Sequence, residues 1–219
     1  MSDVRKTYSQ ELEHLQQLLL EMGAMAEELI KNSVKALIEK DSALADRTIA
    51  ADDAVDAKEA EIDALCLKLL ALQQPMAGDL RLIGSILKIV TDVERLSDHT
   101  TKISKKAKIL SEMPQLKPYV DLPDMASRVI EMFKLSLDAF VRRDVEMAFS
   151  IMGMDSAIDD YNHKIFRELV QYMIKDPACI NYVSHLMVVV QSLERIADHV
   201  TNICERIIFI ATGDLPKSN

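Results

Sequence analysis

Glu94-Arg95-Leu96-Ser97-Asp98-His99-Thr100-Thr101 returns one hundred residues later as Glu194-Arg195-Ile196-Ala197-Asp198-His199-Val200-Thr201, with five of eight positions identical. Each copy closes an apolar line. Ile83, Leu87 and Val90 lead to Glu94, and Val183, Met187 and Val190 lead to Glu194. At about 100° per residue, the first three positions fall within roughly 20–40° of Glu94, which is helical spacing rather than strand alternation. The same long helix is therefore expected twice.

Upstream of each copy the correspondence continues. Lys40-Asp41 matches Arg143-Asp144, and Asp52-Asp53-Ala54-Val55-Asp56 matches Asp155-Ser156-Ala157-Ile158-Asp159, now at an offset of 103. Three residues are lost near the loops at Pro75 and Pro177. Helical apolar spacing runs over 8–39, 41–72, 76–112, 121–142, 144–174 and 178–212. Between the third and fourth stretches lies Met113-Pro-Gln-Leu-Lys-Pro118, whose prolines lack donors and restrict the residues before them. A repeat of about a hundred residues is too long for a solenoid unit and suits a duplicated small domain. The expected fold is all-α: two tandem three-helix bundles from an internal duplication, spanning 1–113 and 118–219, with short connections that make successive helices antiparallel neighbours.

Composition agrees with a helical bundle. Half of the 219 residues are apolar (49%), enough to bury a core, while five glycines and six prolines leave little turn material. The longest apolar runs, Leu186–Val190 and Ile207–Ala211, fall far short of the roughly 20 residues a bilayer span needs. The N-terminus shows no signal peptide, so a cytoplasmic location is expected. Cys66, Cys179 and Cys204 lack Cys-x-x-Cys spacing and read as buried thiols. A net charge of −9 without a basic aromatic-laced stripe argues against nucleic acid as a partner. Lys102, Lys105, Lys106 and Lys108 read as a solvated helix end that complements the macrodipole. Phosphate-binding glycine loops and a nucleophile elbow are missing from the sequence.

The carboxylates are the residues out of place. Asp98 follows Glu94 by one turn on the same face, and Asp198 follows Glu194 in the same way. Like charges at this spacing repel by about 0.2–0.5 kcal/mol when exposed, and more when desolvated. Arg95 and Arg195 project roughly 100° away and are not expected to supply the counter-charge, which a cation or another helix would then provide. The second helix of each half carries Asp52 and Asp56, or Asp155 and Asp159, again four apart. Facing acid pairs would form a four-carboxylate patch. Such a patch suits a hard cation, or iron and manganese, better than zinc. The other reading is a solvated acidic edge held in a network of ion pairs. His99 and His199 could be ligands, partners of ligands or ordinary interfacial residues, and the last is preferred.

Together, these features resemble the PhoU family over nearly the whole chain. The resemblance rests on the two E-R-[LI]-x-D-H segments at 94–99 and 194–199, on Pro75-Met-Ala-Gly-Asp79-Leu-Arg81 opening the third helix, on the aspartate pairs and on the duplicated layout. It implies a cytoplasmic accessory protein that restrains phosphate import and phosphate-regulon signalling. The implied partners are the ATP-hydrolysing subunit of a phosphate ABC transporter and the sensor histidine kinase of the phosphate regulon. It also implies metal on paired E(D)-x-x-x-D motifs: Asp52 and Asp56 with Glu94 and Asp98, Asp155 and Asp159 with Glu194 and Asp198. Iron is the first candidate, with manganese and magnesium behind it. Ser97 and Ala197 stand where the family often has glycine, and Asp92 has only Ser192 as its counterpart. A homodimer is expected of a long bundle with surplus apolar faces.

Two competing functions use the same residues. A ferritin-like di-metal oxidase also places carboxylates on facing helices, but wants two Glu-x-x-His motifs, and this chain has one, Glu11 to His14. A metal-free helical adaptor would use the acids only for solubility and partner steering. No turnover is expected in the preferred reading.

Overall fold

A computed structural model describes residues 2–116 and 119–216, with side chains described from Lys6 onward; Lys117 and Pro118 of the connector lie outside the described residues. Six helices follow in order: α1 (Ser2–Glu39), α2 (Ser42–Gln73), α3 (Gly78–Ser111), α4 (Asp121–Arg142), α5 (Val145–Lys175) and α6 (Ile180–Thr212), the last entered through a 3₁₀ turn at Pro177–Cys179. The described residues contain no strand. Boundaries fall within a few residues of those read from periodicity, except that α1 begins earlier, its polar leader holding neither Gly nor Pro to stop it.

The first turn between helices is built identically in both halves. Lys40 (φ 55°) and Arg143 (φ 53°) adopt the left-handed conformation that ends α1 and α4. The next residue then donates its backbone N–H back five positions, Asp41 to the Ala36 carbonyl and Asp144 to Ala139, both at 3.0 Å. The same two aspartates cap the following helix. Asp41 accepts from the Leu44 N–H at 2.8 Å and Asp144 from the Met147 N–H at 2.9 Å.

Helices α1, α2 and α3 pack on one another, as do α4, α5 and α6. The two units lie side by side rather than apart. Their most extensive helix–helix contact is α3 against α6, supplemented by α1 against α4, and one continuous apolar core runs through both. At the α1–α4 crossing, a Cβ on Gly23 would meet Leu137 at 2.8 Å, so the close approach requires glycine there or a shifted leucine.

Burial differs sharply between inner and outer helices. α3 and α6 are buried over much of their circumference, from Leu82 to Leu110 and from Tyr182 to Ile210. α2 buries a single stripe of Ala45, Thr48, Val55, Ile62, Cys66 and Leu69, and α5 repeats it with Ala148, Ile151, Ile158, Ile165 and Leu169. Each fully buried Ile or Leu on such a stripe contributes about 1.5–3 kcal/mol. All three cysteines are buried and free.

Replacing Asp41 or Asp144 by Ala should each cost about 1 kcal/mol, because a first-turn N–H loses its acceptor. Urea unfolding of the two single variants, compared with wild type, checks both values.

Candidate functional site

The antiparallel pairing of α2 with α3 brings Asp52, Asp56, Glu94 and Asp98 within electrostatic reach of one another. α5 and α6 do the same for Asp155, Asp159, Glu194 and Asp198. All eight predicted acids therefore assemble, four to each half. Burial first, and neighbouring carboxylates second, raise the Asp56, Glu94 and Glu194 carboxyls above their ordinary values. Asp155 is pushed up to about 6 by burial and by Asp159 and Asp198.

One expectation fails. Arg95 reaches back from its exposed position to Glu94 (Nε–Oε2 3.3 Å) and Asp98 (Nη1–Oδ2 3.4 Å), and Arg195 to Glu194 (3.5 Å) and Asp198 (2.9 Å). The Cα–Cβ bonds do diverge, but the long arginine stem curls along the helix surface and returns its guanidinium to the acid face. The helix therefore does supply part of its own counter-charge. The raised Glu94 and Glu194 carboxyls show that it is incomplete.

The two clusters are not equivalent. In the first, Ser97 Oγ and Thr101 Oγ1 donate to the two carboxylate oxygens of Asp52 at 2.5 and 2.9 Å. The corresponding residues of the second half are Ala197, which has no hydroxyl, and Thr201, which donates to the Asp198 carbonyl instead. Asp155 thus lacks the hydroxyl pair that holds Asp52.

Two further acids belong to the first cluster. Glu59 is raised by burial and by Glu94, Asp63 and Asp56, and Asp63 has one buried oxygen without a hydrogen-bond partner. The signal was present in the sequence: 52, 56, 59 and 63 trace one helical face. Their counterparts in α5 are Asn162 and Phe166.

Hard oxygen donors fit a hard cation. As the side chains stand, no three His, Cys, Asp or Glu among the described residues converge closely enough to hold an ion. Asp52 is committed to its two hydroxyl donors. The freer carboxylates are Asp56, Glu59, Glu94 and Asp98 in the first half, and Asp155, Asp159, Glu194 and Asp198 in the second. These residues would hold a cation, and its charge would relieve their mutual repulsion.

The histidines face each other across the α3–α6 seam, their ring centroids 6.0 Å apart. Asp92 accepts from Asn202 Nδ2 at 3.2 Å and lies 2.9 Å from His199 Nδ1. His99 has no such partner for its buried Nδ1, its counterpart to Asp92 being Ser192. Burial, followed by Lys102, His199 and Arg195, lowers its pKa to about 4, so it is neutral at pH 7. The interfacial role expected from sequence is the one that both rings occupy.

Comparison with known proteins comes to the same place. The PhoU domain model matches residues 19–107 and 122–207, once in each half. A protein named phosphate-specific transport system accessory protein PhoU homolog from Pseudomonas aeruginosa is 38% identical over 211 residues, covering 96% of this chain and 87% of the relative. One of the same name from Clostridium acetobutylicum is 38% identical over 210 residues, covering 95% and 96%. The crystal structure of PhoU from Pseudomonas aeruginosa superimposes with a TM-score of 0.91 at 39% identity, over 94% of this chain and all of that one. The phosphate transport system regulatory protein PhoU from Streptococcus pneumoniae gives 0.89 at 30% identity, over 96% of this chain and all of that one. The chain belongs to the PhoU family.

Matched substitutions in the two clusters should act in opposite directions. Asp52→Ala strands the Ser97 and Thr101 hydroxyls and should cost about 1–3 kcal/mol in denaturant unfolding. Asp155→Asn removes a carboxylate whose folded pKa is raised from 3.8 to about 6. The native state binds the extra proton between those values, so the ionised group lowers stability above pH 6 and the penalty fades toward pH 4. The variant should therefore melt higher than wild type at pH 7 and converge with it near pH 4. His99 has the reverse sign: its folded pKa is lowered, so stability falls as pH drops from about 6.5 to about 4. Over that window His99→Asn should flatten the melting profile relative to wild type.

Proposed function

We propose that this PhoU-family chain is a cytoplasmic accessory protein of phosphate transport that restrains phosphate uptake and phosphate-regulon signalling by protein contact, without turnover. The partners are the ATP-hydrolysing subunit of a phosphate ABC transporter and the sensor histidine kinase that reports on phosphate, and the chain acts as a homodimer. The observation that carries the reading is the twice-built carboxylate cluster, with its repulsion only partly offset by Arg95 and Arg195. Relatives named as accessory proteins of phosphate-specific transport give it its physiological setting. A cation such as iron, manganese or magnesium, bound by the freer carboxylates, would supply positive charge that joins two helices and alters the potential of the docking face.

A metal-free version is favoured by one specific observation. Both arginines already bridge their acid pairs, and Asp52 is fully hydrogen-bonded, so the clusters can stand without an ion. In that version the acids are electrostatic steering elements for a basic partner.

Elemental analysis of protein purified without tag or chelator separates the two. Near-stoichiometric metal in wild type, lost from Glu94→Gln/Asp98→Asn and from Glu194→Gln/Asp198→Asn, would make those residues ligands. Metal-free wild type that still binds the purified transporter ATPase subunit would leave steering as their role. Wild type that binds neither the ATPase subunit nor the kinase would overturn the accessory reading itself.

A further inference from the structure

One turn beyond the second acid cluster, α5 and α6 enclose a partly apolar groove. Along α5 and α6, next to Asp159 and Glu194, a cavity of about 350 Å³ is lined by Asn162, Phe166, Leu169, Met187, Val190 and Gln191. Phe166 is 52% exposed and presents its ring at the groove. In the first half the corresponding positions of α2 are Glu59 and Asp63, and those of α3 are Leu87 and Thr91. The two copies therefore differ here, with two acids in one and an amide and an aromatic ring in the other, while each keeps its four-carboxylate cluster.

We propose that this groove docks an amphipathic helix of a partner protein, which seats a large apolar side chain against Phe166 and Met187 and sets an Arg or Lys over Asp159 and Asp198. The spacing follows from the fold. Asp159 precedes Phe166 by seven residues, two helical turns or about 10 Å, and on the antiparallel α6 Asp198 lies eleven residues beyond Met187. A helix lying along the groove thus needs an apolar anchor and a cation at about i and i+7, with a second cation one turn further. Charge selects the occupant: the acids, only partly offset by Arg195, present negative potential at one end, and Asn162 and Gln191 form a neutral polar step between them and the apolar floor at Phe166 and Met187. The apolar groove of the first half lies elsewhere, between α1 and α2, where Met25, Leu29, Leu44, Ala51 and Ala54 line it beside Glu28 and Arg47. This inference rests on the reading that the chain works through protein contacts, and it names the kind of contact.

A fluorescein-labelled, alanine-based peptide carrying Leu at two positions four apart and Arg seven and eleven residues beyond the first Leu serves as the probe. Its binding to full-length protein is read by fluorescence anisotropy in low salt with chelator present. The expected result is saturable binding, weakened at least tenfold by Phe166→Asp and by Glu194→Gln/Asp198→Asn, and unchanged by Leu67→Asp on exposed α2. Because Phe166 and Leu67 are both exposed, circular dichroism should show all variants folded. The proposal is overturned if wild type does not bind, if Phe166→Asp binds as well as wild type, or if the peptide with Glu in place of Arg binds equally. Self-association through the groove that excludes the peptide would also overturn it, assigning the surface to a second copy. Measuring the purified transporter ATPase subunit in parallel keeps the two readings apart. If that subunit binds while the peptide does not, only the groove falls; if neither binds, the accessory reading falls with it.

Discussion

Every helix of the molecule is positioned by the contact between α3 and α6. Each of these helices packs against all the other helices of its own unit and against its counterpart in the other, so it is wetted on only a narrow side. His99 and His199 meet in this seam, and both helices also bury small residues, Ser97, Thr100 and Ser104 on α3 and Ala197 on α6. Small side chains let helical backbones approach closely. They also leave little room for adjustment, because close-packed interiors transmit even a single methylene. The acid clusters sit at the edge of this rigid seam: Glu94 and Asp98 share a helix with Ser97, and Glu194 and Asp198 with Ala197. Their positions inherit its precision.

The seam also explains why a symmetric duplication yields unequal halves. A pseudo-twofold pair placed face to face must resolve any polar residue it buries, and here it does so on one side only. Asp92 serves His199 and Asn202, while His99 is left neutral against the same interface. The same divergence appears one layer out, where Ser97 and Thr101 hold Asp52 and no equivalent hydroxyls hold Asp155. Small differences at buried positions thus set the hydrogen bonding of carboxylates on the neighbouring helix: Ser97 supplies a hydroxyl to Asp52, and Ala197 has none to supply.

Element order, the repeat and the facing acid pairs were legible because each is written in periodicity, and periodicity is what a helix preserves. Glu94 stood out by completing the line of Ile83, Leu87 and Val90. What periodicity does not carry is the reach of a flexible side chain, which is why Arg95 and Arg195 were assigned the wrong direction. Nor does it carry partner choice between units: the apolar lines leading to Glu94 and Glu194 do not say that α3 and α6 are the helices that meet. Glu59 and Asp63 were overlooked for a simpler reason, since they have no acidic counterpart in α5 and a search guided by the repeat passes over what is not repeated.

The single buried stripe on α2 and on α5 has a consequence for how such a protein changes over time. With Val55 and Ile62 or Ile158 and Ile165 fixed seven residues apart, most of the residues between them touch solvent and answer to no packing constraint. The outer helices are therefore writable surfaces on an unaltered frame. One copy has accumulated acids at 59 and 63, the other an amide and a ring at 162 and 166, and neither edit disturbed the core beneath. Duplication supplied two equivalent faces, and the buried stripe they share beneath allows each face to acquire its own correspondent.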